Sequence, residues 1–222
     1  MADILVLAPH ADDEVIGCGG MMARRTAEGD RVHVAVFGVG GIQHRHLEHE
    51  ATAVARLDEF KRATEILGVA ETTVLFEGMD MRLDTIPQVE IVSKIDDLLE
   101  SKYDEVYFPY SSFNHDHQTV FDAVFSALRM KGGDQAPLLS ALYEYPEVGW
   151  NPTEIRGGKM YVDISDQLEQ KMRALSAYES QMRSHPHPRS PESVRLFAQM
   201  RGVEAGFAAA ELFYLQKMVI PA

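Results

Sequence analysis

The stretch Ile4-Leu-Val-Leu-Ala-Pro-His-Ala-Asp-Asp-Glu14 joins an apolar run to a histidine and three acidic residues. A run without polar alternation is typical of a central strand that helices cover on both faces. In an open parallel sheet, ligands bind beyond the carboxyl ends of the strands. The polar residues that follow this strand therefore predict a functional site at its carboxyl end.

Strand-like and helix-like segments alternate along the rest of the chain. This alternation predicts βαβ units and hence an α/β fold, a three-layer sandwich with a mostly parallel central sheet. The predicted strands are 4–8, 32–37, 72–76, 105–109 and 138–145, and the predicted helices are 15–28, 51–67, 87–101, 117–130, 166–182 and 191–209.

Composition narrows the class of protein. With 222 residues, 45% of them hydrophobic, the chain is long enough for one substantial core, and we expect a single domain over 1–222. The formal charge of -13, from 34 acidic against 21 basic residues, argues against nucleic acid or an anionic membrane as a partner. A small-molecule substrate fits this charge better.

Other features of the sequence bear on location and assembly. A single cysteine, Cys18, excludes an intrachain disulfide and is compatible with a reducing compartment. The first residues have no basic segment and no apolar run approaches the length of a membrane span, so we expect a cytoplasmic protein. The apolar segment 213–220 fits either an interface or an edge strand, which leaves a homo-oligomer open.

Two motifs supply candidate metal ligands. In the first, the imidazole of His10 and the carboxylate of Asp13 suit zinc, while the carboxylate of Asp12 is left free to move protons. The second is Asn114-His-Asp-His117, which follows the predicted strand 105–109 and offers two imidazoles. The two motifs together indicate an enzyme.

The predicted topology brings the two motifs together. Right-handed crossovers allow their strands to lie side by side, so His10, Asp13 and His117 are expected to converge at one sheet edge. Two histidines and one aspartate leave a catalytic zinc (Zn²⁺) with an open position for water, whose pKa falls from about 15.7 toward roughly 7. Iron(II), cobalt and nickel suit the same ligands.

Some of these residues also have structural explanations. His10, Asp12 and Asp13 precede the helix predicted at 15–28, and carboxylates at a helix amino end are favoured as caps. The segment Gly17-Cys-Gly-Gly20 lacks the spacing of a phosphate-binding loop and favours close helix packing. Gly38-Val-Gly-Gly41 favours a flexible loop.

Charged and histidine-rich segments outside the two motifs are weaker signals. Arg56 and Glu59 share one helix face, as an exposed ion pair or, for Arg56, as a contact to substrate. Histidines at 44, 46 and 49 and at 185 and 187 favour solvated loops. The loops 38–50 and 182–191 that contain them are long enough to carry binding function.

The two motifs resemble those of the LmbE-like, PIG-L-type zinc-dependent N-deacetylases of the GlcNAc type, which read Pro-His-Pro-Asp-Asp-Glu and His-x-Asp-His. Pro9-His-Ala-Asp-Asp-Glu14 matches the first with one change, at Ala11. The resemblance extends into the carboxyl-terminal third, where Tyr161-Val-Asp-Ile164 and Tyr178-Glu-Ser-Gln181 are similar to family segments.

The resemblance implies a Rossmann-like fold and a hydrolase that removes an N-acetyl group from an amino sugar or glycoconjugate. His10, Asp13 and His117 would hold the metal, and Asp12 would be the general base for a metal-bound water. Asp116 would orient or tune a neighbouring catalytic group.

Asn114 departs from the family pattern, which usually has a histidine at this position. An amide cannot become a cation, so we expect the NH₂ group of Asn114 to stabilise the oxyanion while Asp12 carries out both proton transfers. A neutral donor of this kind is worth about 3 kcal/mol. Tyr110 and His115 are candidate substrate contacts and possible substitutes for the missing histidine.

Two other functions fit the same sequence. A metal-dependent amidase or esterase could act on a small acylated substrate that is not a sugar, and only amide substrates would release a free amine. A nucleotide-binding Rossmann module without catalysis would hold phosphate at 38–41. Such a module predicts no metal requirement and no effect of Asp12→Ala.

Overall fold

The computed structural model describes residues 1–41, 52–129, 137–145 and 158–220. Within them the strands are β1 (Asp3–His10), β2 (Arg31–Val39), β3 (Glu71–Glu77), β4 (Glu105–Pro109), β5 (Leu139–Tyr143), β6 (Lys159–Asp163) and β7 (Ala210–Met218). The helices are α1 (Asp13–Ala27), α2 (Ala53–Leu67), α3 (Gln88–Leu99), α4 (His115–Ala127), α5 (Leu168–Ser176) and α6 (Pro191–Ala205), with 3₁₀ turns at Leu83–Thr85 and Glu179–Gln181.

The strands described form one sheet in the order β3-β2-β1-β4-β5-β7-β6. The first five strands of that order are parallel, and β7 runs antiparallel between β5 and β6. β1 pairs directly with β4, with Val6 opposite Tyr107. This pairing confirms that the strands ahead of the two sequence motifs are neighbours.

Helices cover both faces of the sheet. In β1, Ile4, Val6 and Ala8 point into a core formed with α1, α2, α5 and α6, whereas Leu5 and Leu7 point into a second core with α3 and α4. Both sets are fully buried, which explains why β1 lacks polar alternation. The predicted three-layer α/β sandwich with a mostly parallel sheet is therefore confirmed.

The carboxyl-terminal third differs from the sequence prediction. Strands β6 and β7 were not predicted, and most of segment 213–220 lies inside the sheet rather than at its edge. The helix predicted at 191–209 ends at Ala205, because Gly206 takes a left-handed conformation with φ 83°. Among the helices within the described ranges, none combines the length and apolar composition that crossing a membrane requires.

The glycines of α1 let the helix pack closely on its neighbours. A Cβ on Gly20 would lie 2.6 Å from Ile164 Cδ1 and 2.8 Å from Ile164 Cβ. Gly17 is similarly pressed against the ring of Tyr143. The close-packing interpretation of Gly17-Cys-Gly-Gly20 is therefore confirmed.

We expect Gly20→Ala to lower the free energy of unfolding by about 1–3 kcal/mol, because the added methyl group overpacks the core. The sign of this change is informative. In a helix interior without such contacts, alanine is favoured over glycine by about 1 kcal/mol, so the same substitution would raise the free energy of unfolding. Gly158→Ala is the control, because its Cβ would meet only Leu215 at an ordinary 3.5 Å. Urea unfolding of both variants measures the difference, and a more stable Gly20→Ala protein would contradict the packing argument.

Candidate active site

Three buried side chains converge at the carboxyl ends of β1 and β4. His10 is the last residue of β1, Asp13 is the first of α1, and His117 lies in the first turn of α4, which follows β4. Their ligand atoms lie close enough together to hold a metal ion. The convergence follows from the parallel pairing of β1 with β4, which brings both strand ends to one edge.

The distances between the three donor atoms fit a tetrahedral metal. His10 Nδ1 lies 3.3 Å from Asp13 Oδ2, His117 Nε2 lies 3.2 Å from the same oxygen, and the two nitrogens are 3.3 Å apart. Tetrahedral zinc with bonds of about 2.0–2.2 Å requires donor separations of about 3.3–3.6 Å. The residues present therefore fit a zinc-sized ion with little rearrangement.

Each imidazole is oriented by a partner on its other nitrogen. His10 Nε2 donates to Asp116 Oδ2 at 2.8 Å, since an ionised carboxylate can only accept, and this leaves Nδ1 for a metal. Ser112 Oγ lies 2.8 Å from His117 Nδ1, and the ring of Tyr145 stacks on His117 with centroids 4.7 Å apart. Asp116 is itself fixed, because its Oδ1 accepts the N–H of Leu83 at 2.8 Å.

The acidic pair does not cap α1. Asp12 occupies the cap position, but its side chain makes no capping hydrogen bond. Asp13 Oδ2 accepts the backbone N–H of His10 at 3.2 Å and faces the two imidazoles. By contrast, Asn114 is a true cap of α4, because its Oδ1 accepts the N–H of Asp116 at 2.9 Å.

Arg189 is a cation that the sequence analysis did not single out. Its Nη2 lies 3.1 Å from Asp12 Oδ1 and 3.0 Å from Asp13 Oδ1. It belongs to the loop 182–191, where His185 and His187 are exposed as expected for a solvated segment. The length of this loop predicted a binding function. The residue that contacts the acidic pair is Arg189, which follows the two histidines in the sequence.

The protonation equilibria reflect the burial of these charges. Burial by itself would lower the pKa of His10, but hydrogen bonds to Asp116 and Asp13 outweigh it and raise the pKa to about 9. Burial would raise the pKa of Asp13, yet the charge of His117 and hydrogen bonds from both imidazoles hold it well below its usual range. His10 would have to be deprotonated at Nδ1 in order to hold a metal ion.

The pKa values of Asp12 and His117 both shift in the direction that burial favours. Burial raises the pKa of Asp12, and the nearby guanidinium of Arg189 acts in the opposite direction. Burial also lowers the pKa of His117, which favours the neutral imidazole that a metal requires.

Arg56 and Glu59 do not form the exposed ion pair considered from the sequence. Arg56 is only 1% exposed, and it pairs with Asp80 and donates to the backbone oxygens of Gly40 at 3.1 Å and Ala11 at 3.3 Å. Glu59 is buried too and accepts the N–H of Ser180 at 2.7 Å. The prediction of an exposed ion pair is wrong, because helix α2 turns the face that carries Arg56 and Glu59 toward the site.

Asp80 was also missed by the sequence analysis. It lies in the turn after β3, and its Oδ1 is 3.8 Å from His10 Nε2. Gly38 and Gly40 pack against it, since a Cβ on Gly38 would approach the Asp80 backbone to 3.1 Å. A flexible loop was expected at 38–41, but residues 38 and 39 are the end of β2, and Gly38 packs on the backbone of Asp80.

The remaining predicted residues lie between the end of β4 and the first residue of α4. His115 is exposed at the start of α4, and Tyr110 is half-buried with its ring stacked on Phe121 at 6.1 Å. Asn114 Nδ2 lies 3.9 Å from the sulfur of Met81. The histidines at 44, 46 and 49 lie outside the described residues.

Metal analysis distinguishes the two imidazoles of the second motif. We expect His117→Ala and Asp13→Ala to lose the metal, because each removes one of three donors, whereas His115→Ala should retain it. Ser112→Ala should weaken metal affinity by about 10–100-fold, since it removes the partner that orients His117. Elemental analysis after dialysis and zinc addition measures this, and loss of metal in His115→Ala with retention in His117→Ala would contradict the assignment.

Comparisons with known proteins show which family the chain resembles. Residues 5–128 match the family model described as PIG-L, GlcNAc-PI de-N-acetylase. Diacetylchitobiose deacetylase from Thermococcus kodakarensis is 31% identical over 80% of this chain and 69% of that protein. A probable N-acetyl-alpha-D-glucosaminyl L-malate deacetylase 2 from Bacillus cereus is 27% identical over 80% of this chain and 83% of that protein.

The fold is shared with solved structures as well. The crystal structure of the conserved protein TT1542 from Thermus thermophilus matches with a TM-score of 0.76 and 25% identity, covering 100% of this chain and 98% of that one. The family resemblance noted in the two motifs is thereby confirmed. Because the family model spans more than half of the sequence, the chain belongs to the PIG-L (LmbE-like) family.

Proposed function

We propose that this protein is a zinc-dependent N-deacetylase that hydrolyses the acetamide of a small N-acetylated amino sugar or glycoconjugate. The observation that carries the proposal is the set of three donor atoms on His10, Asp13 and His117, 3.2–3.3 Å apart, with the carboxylate of Asp12 beside it. Relatives named as deacetylases of diacetylchitobiose and of a glucosaminyl malate support the substrate class.

The donor set fits a divalent transition metal. When bound, such an ion supplies Lewis acidity that polarises a carbonyl and lowers the pKa of water from about 15.7 toward 7. Two imidazoles and one carboxylate also suit iron(II), cobalt and nickel, and zinc is our proposal because three such protein ligands are typical of catalytic zinc sites.

Asp12 is the residue we assign to proton transfer. It lies next to the ligand Asp13 without belonging to the set of three donors. As general base it takes a proton from the attacking water while the new carbon–oxygen bond forms. As the carbon–nitrogen bond breaks, it returns that proton to the departing nitrogen, so acetate and a free amine are released.

Asn114 and Asp116 have different parts in this proposal. The Oδ1 of Asn114 is occupied as the cap of α4, which leaves its NH₂ group to donate to the oxygen that becomes negative during attack. Asp116 fixes the ring of His10 through the hydrogen bond to Nε2.

The substrate contacts that we propose lie at the rim of the site. Tyr110 is half-buried and His115 is exposed, so both can reach a bound sugar. Arg56 is 1% exposed, and its proposed contribution is to hold Ala11 and Asp80 beside the ligands rather than to bind substrate by itself. A single 1–222 domain and a cytoplasmic location remain part of the proposal, whereas a homo-oligomer stays an open alternative.

The two alternative functions predict different products. An esterase would release no amine, and a nucleotide-binding module would hydrolyse nothing. Incubating the zinc-loaded protein with N,N′-diacetylchitobiose and N-acetylglucosamine, and measuring acetate and primary amine, tests the proposal. Equal release of both, abolished by a chelator and restored by zinc, is the expected result.

We expect Asp12→Asn to retain the metal and to lower turnover by about 10²–10⁴-fold, because only the proton acceptor is removed. Asp122→Asn makes the same chemical change on an exposed part of α4 and serves as the control. Steady-state kinetics with parallel elemental analysis measure both properties. Turnover near the wild-type value in Asp12→Asn would remove the general-base role.

A pair of Asn114 variants separates capping from catalysis. Serine can still cap α4 whereas alanine cannot, so only Asn114→Ala should lose about 1 kcal/mol of stability. Both variants lack the NH₂ group and should lose about 100-fold in kcat, the equivalent of roughly 3 kcal/mol. Kinetics and thermal unfolding measure the two effects, and an unchanged kcat in Asn114→Ser together with an inactive His115→Ala would show that the donor is elsewhere.

A further inference from the structure

Asp12 has a backbone conformation that is unusual for a residue with a side chain. Its φ is 132° and its ψ is -26°, in a region that favours glycine. Conformations of this kind are energetically unfavourable and persist only where surrounding groups enforce them. The residue that we propose as general base is therefore held in a strained state, and something must hold it.

Both polar groups of the peptide unit between Ala11 and Asp12 are hydrogen-bonded to buried side chains. On one side its carbonyl oxygen, that of Ala11, accepts from Arg56 Nη2 at 3.3 Å. On the other side its N–H, that of Asp12, donates to Glu14 Oε2 at 3.0 Å. Rotation of this peptide would change φ of Asp12 and would break both hydrogen bonds in a buried region. The two contacts thus oppose relaxation to an ordinary conformation.

Glu14 is in turn fixed by Tyr178. The hydroxyl of Tyr178 donates to Glu14 Oε1, and both side chains are fully buried. Glu14 is outside the set of three metal donors. Tyr178 lies beyond the end of α5 in the segment Tyr178-Glu-Ser-Gln181, whose Ser180 binds Glu59 of α2. The segment is thereby anchored from a second direction.

We infer that Glu14 and Tyr178 are positioning residues for catalysis: through the Asp12 N–H they hold the strained peptide that aims the Asp12 carboxylate at the reacting water. The inference rests on the proposed function, in which Asp12 transfers protons. Tyr178 acts only through Glu14, and Glu14 acts only through the backbone of Asp12. A misplacement of about 1 Å at a reacting group can cost about 10²-fold in rate.

A tyrosine pair provides the matched test. Tyr178→Phe removes one buried hydroxyl, and Tyr143→Phe does the same at an equally buried ring whose hydroxyl donates to Leu7 O at 2.9 Å. We expect Tyr178→Phe to lower kcat by about 10–100-fold with KM and metal content unchanged. Tyr143→Phe should leave kcat within about threefold of the wild type, although it loses a buried hydrogen bond of the same kind.

Two variants of Glu14 provide a second test, in which the conservative Glu14→Gln should rescue the kcat that Glu14→Ala loses. Glutamine keeps a carbonyl oxygen for the Asp12 N–H and an amide that can donate to the Tyr178 oxygen, so Glu14→Gln should retain most of kcat. Glu14→Ala should lose most of kcat. If Glu14→Gln is as slow as Glu14→Ala, or if Tyr178→Phe is no slower than Tyr143→Phe, the inference is overturned.

Hydrogen exchange of the Asp12 amide tests the same contact without any turnover. By NMR, the amide proton should be protected in the wild type and in Tyr143→Phe, and less protected in Glu14→Ala and Tyr178→Phe. An unprotected amide in the wild type overturns the inference. A different outcome would separate the two proposals. If the zinc-loaded wild type releases no amine from acetylated sugars while the amide protection is as expected, the proposed function fails, but Glu14 and Tyr178 still hold the backbone of Asp12.

Discussion

A single oxygen, Asp13 Oδ2, organises the site. It lies 3.3 Å from His10 Nδ1 and 3.2 Å from His117 Nε2, and it accepts the backbone N–H of His10. The buried carboxylate of Asp13 is balanced on its other oxygen by the guanidinium of Arg189, 3.0 Å away, and a proton or a metal ion shared with the two imidazoles would balance it further. The parallel pairing of β1 with β4 brings these residues together, so the site depends on the order of the strands.

The placement of α1 is secured by further buried charges behind the site. Glu211 on β7 accepts the N–H groups of Gly20 at 2.8 Å and Met21 at 2.7 Å, and it pairs with Lys171 of α5 at 2.6 Å. Lys171 also donates to the backbone oxygen of Ile16 at 2.7 Å. Buried ion pairs add little net stability, but they specify geometry when every group is satisfied. Helix α1 thus has a fixed position from which Asp13 reaches the two imidazoles.

The site also shows how structural and catalytic roles divide among similar residues. Asn114 and Asp12 both sit at helix amino ends, yet only Asn114 caps its helix, whereas Asp12 is held in a strained conformation with its carboxylate beside Arg189. A strained, buried acid next to three metal donors is poorly explained by stability alone, since relaxed alternatives would cost less. The geometry is that of a candidate metal site, and the relatives from Thermococcus kodakarensis and Bacillus cereus in this family are named as deacetylases.

The sequence alone determined the parallel part of the fold and the two motifs of the site. Apolar runs and helical periodicity are local patterns, so β1, β4 and the helices between them were predictable within a few residues. The sequence favoured His117 over His115, and the tertiary structure places His117 Nε2 3.2 Å from Asp13 Oδ2 and leaves His115 exposed. Only the tertiary structure decided the contacts of Arg189 and the antiparallel insertion of β7, because hydrogen bonds between residues distant in sequence leave no local periodicity.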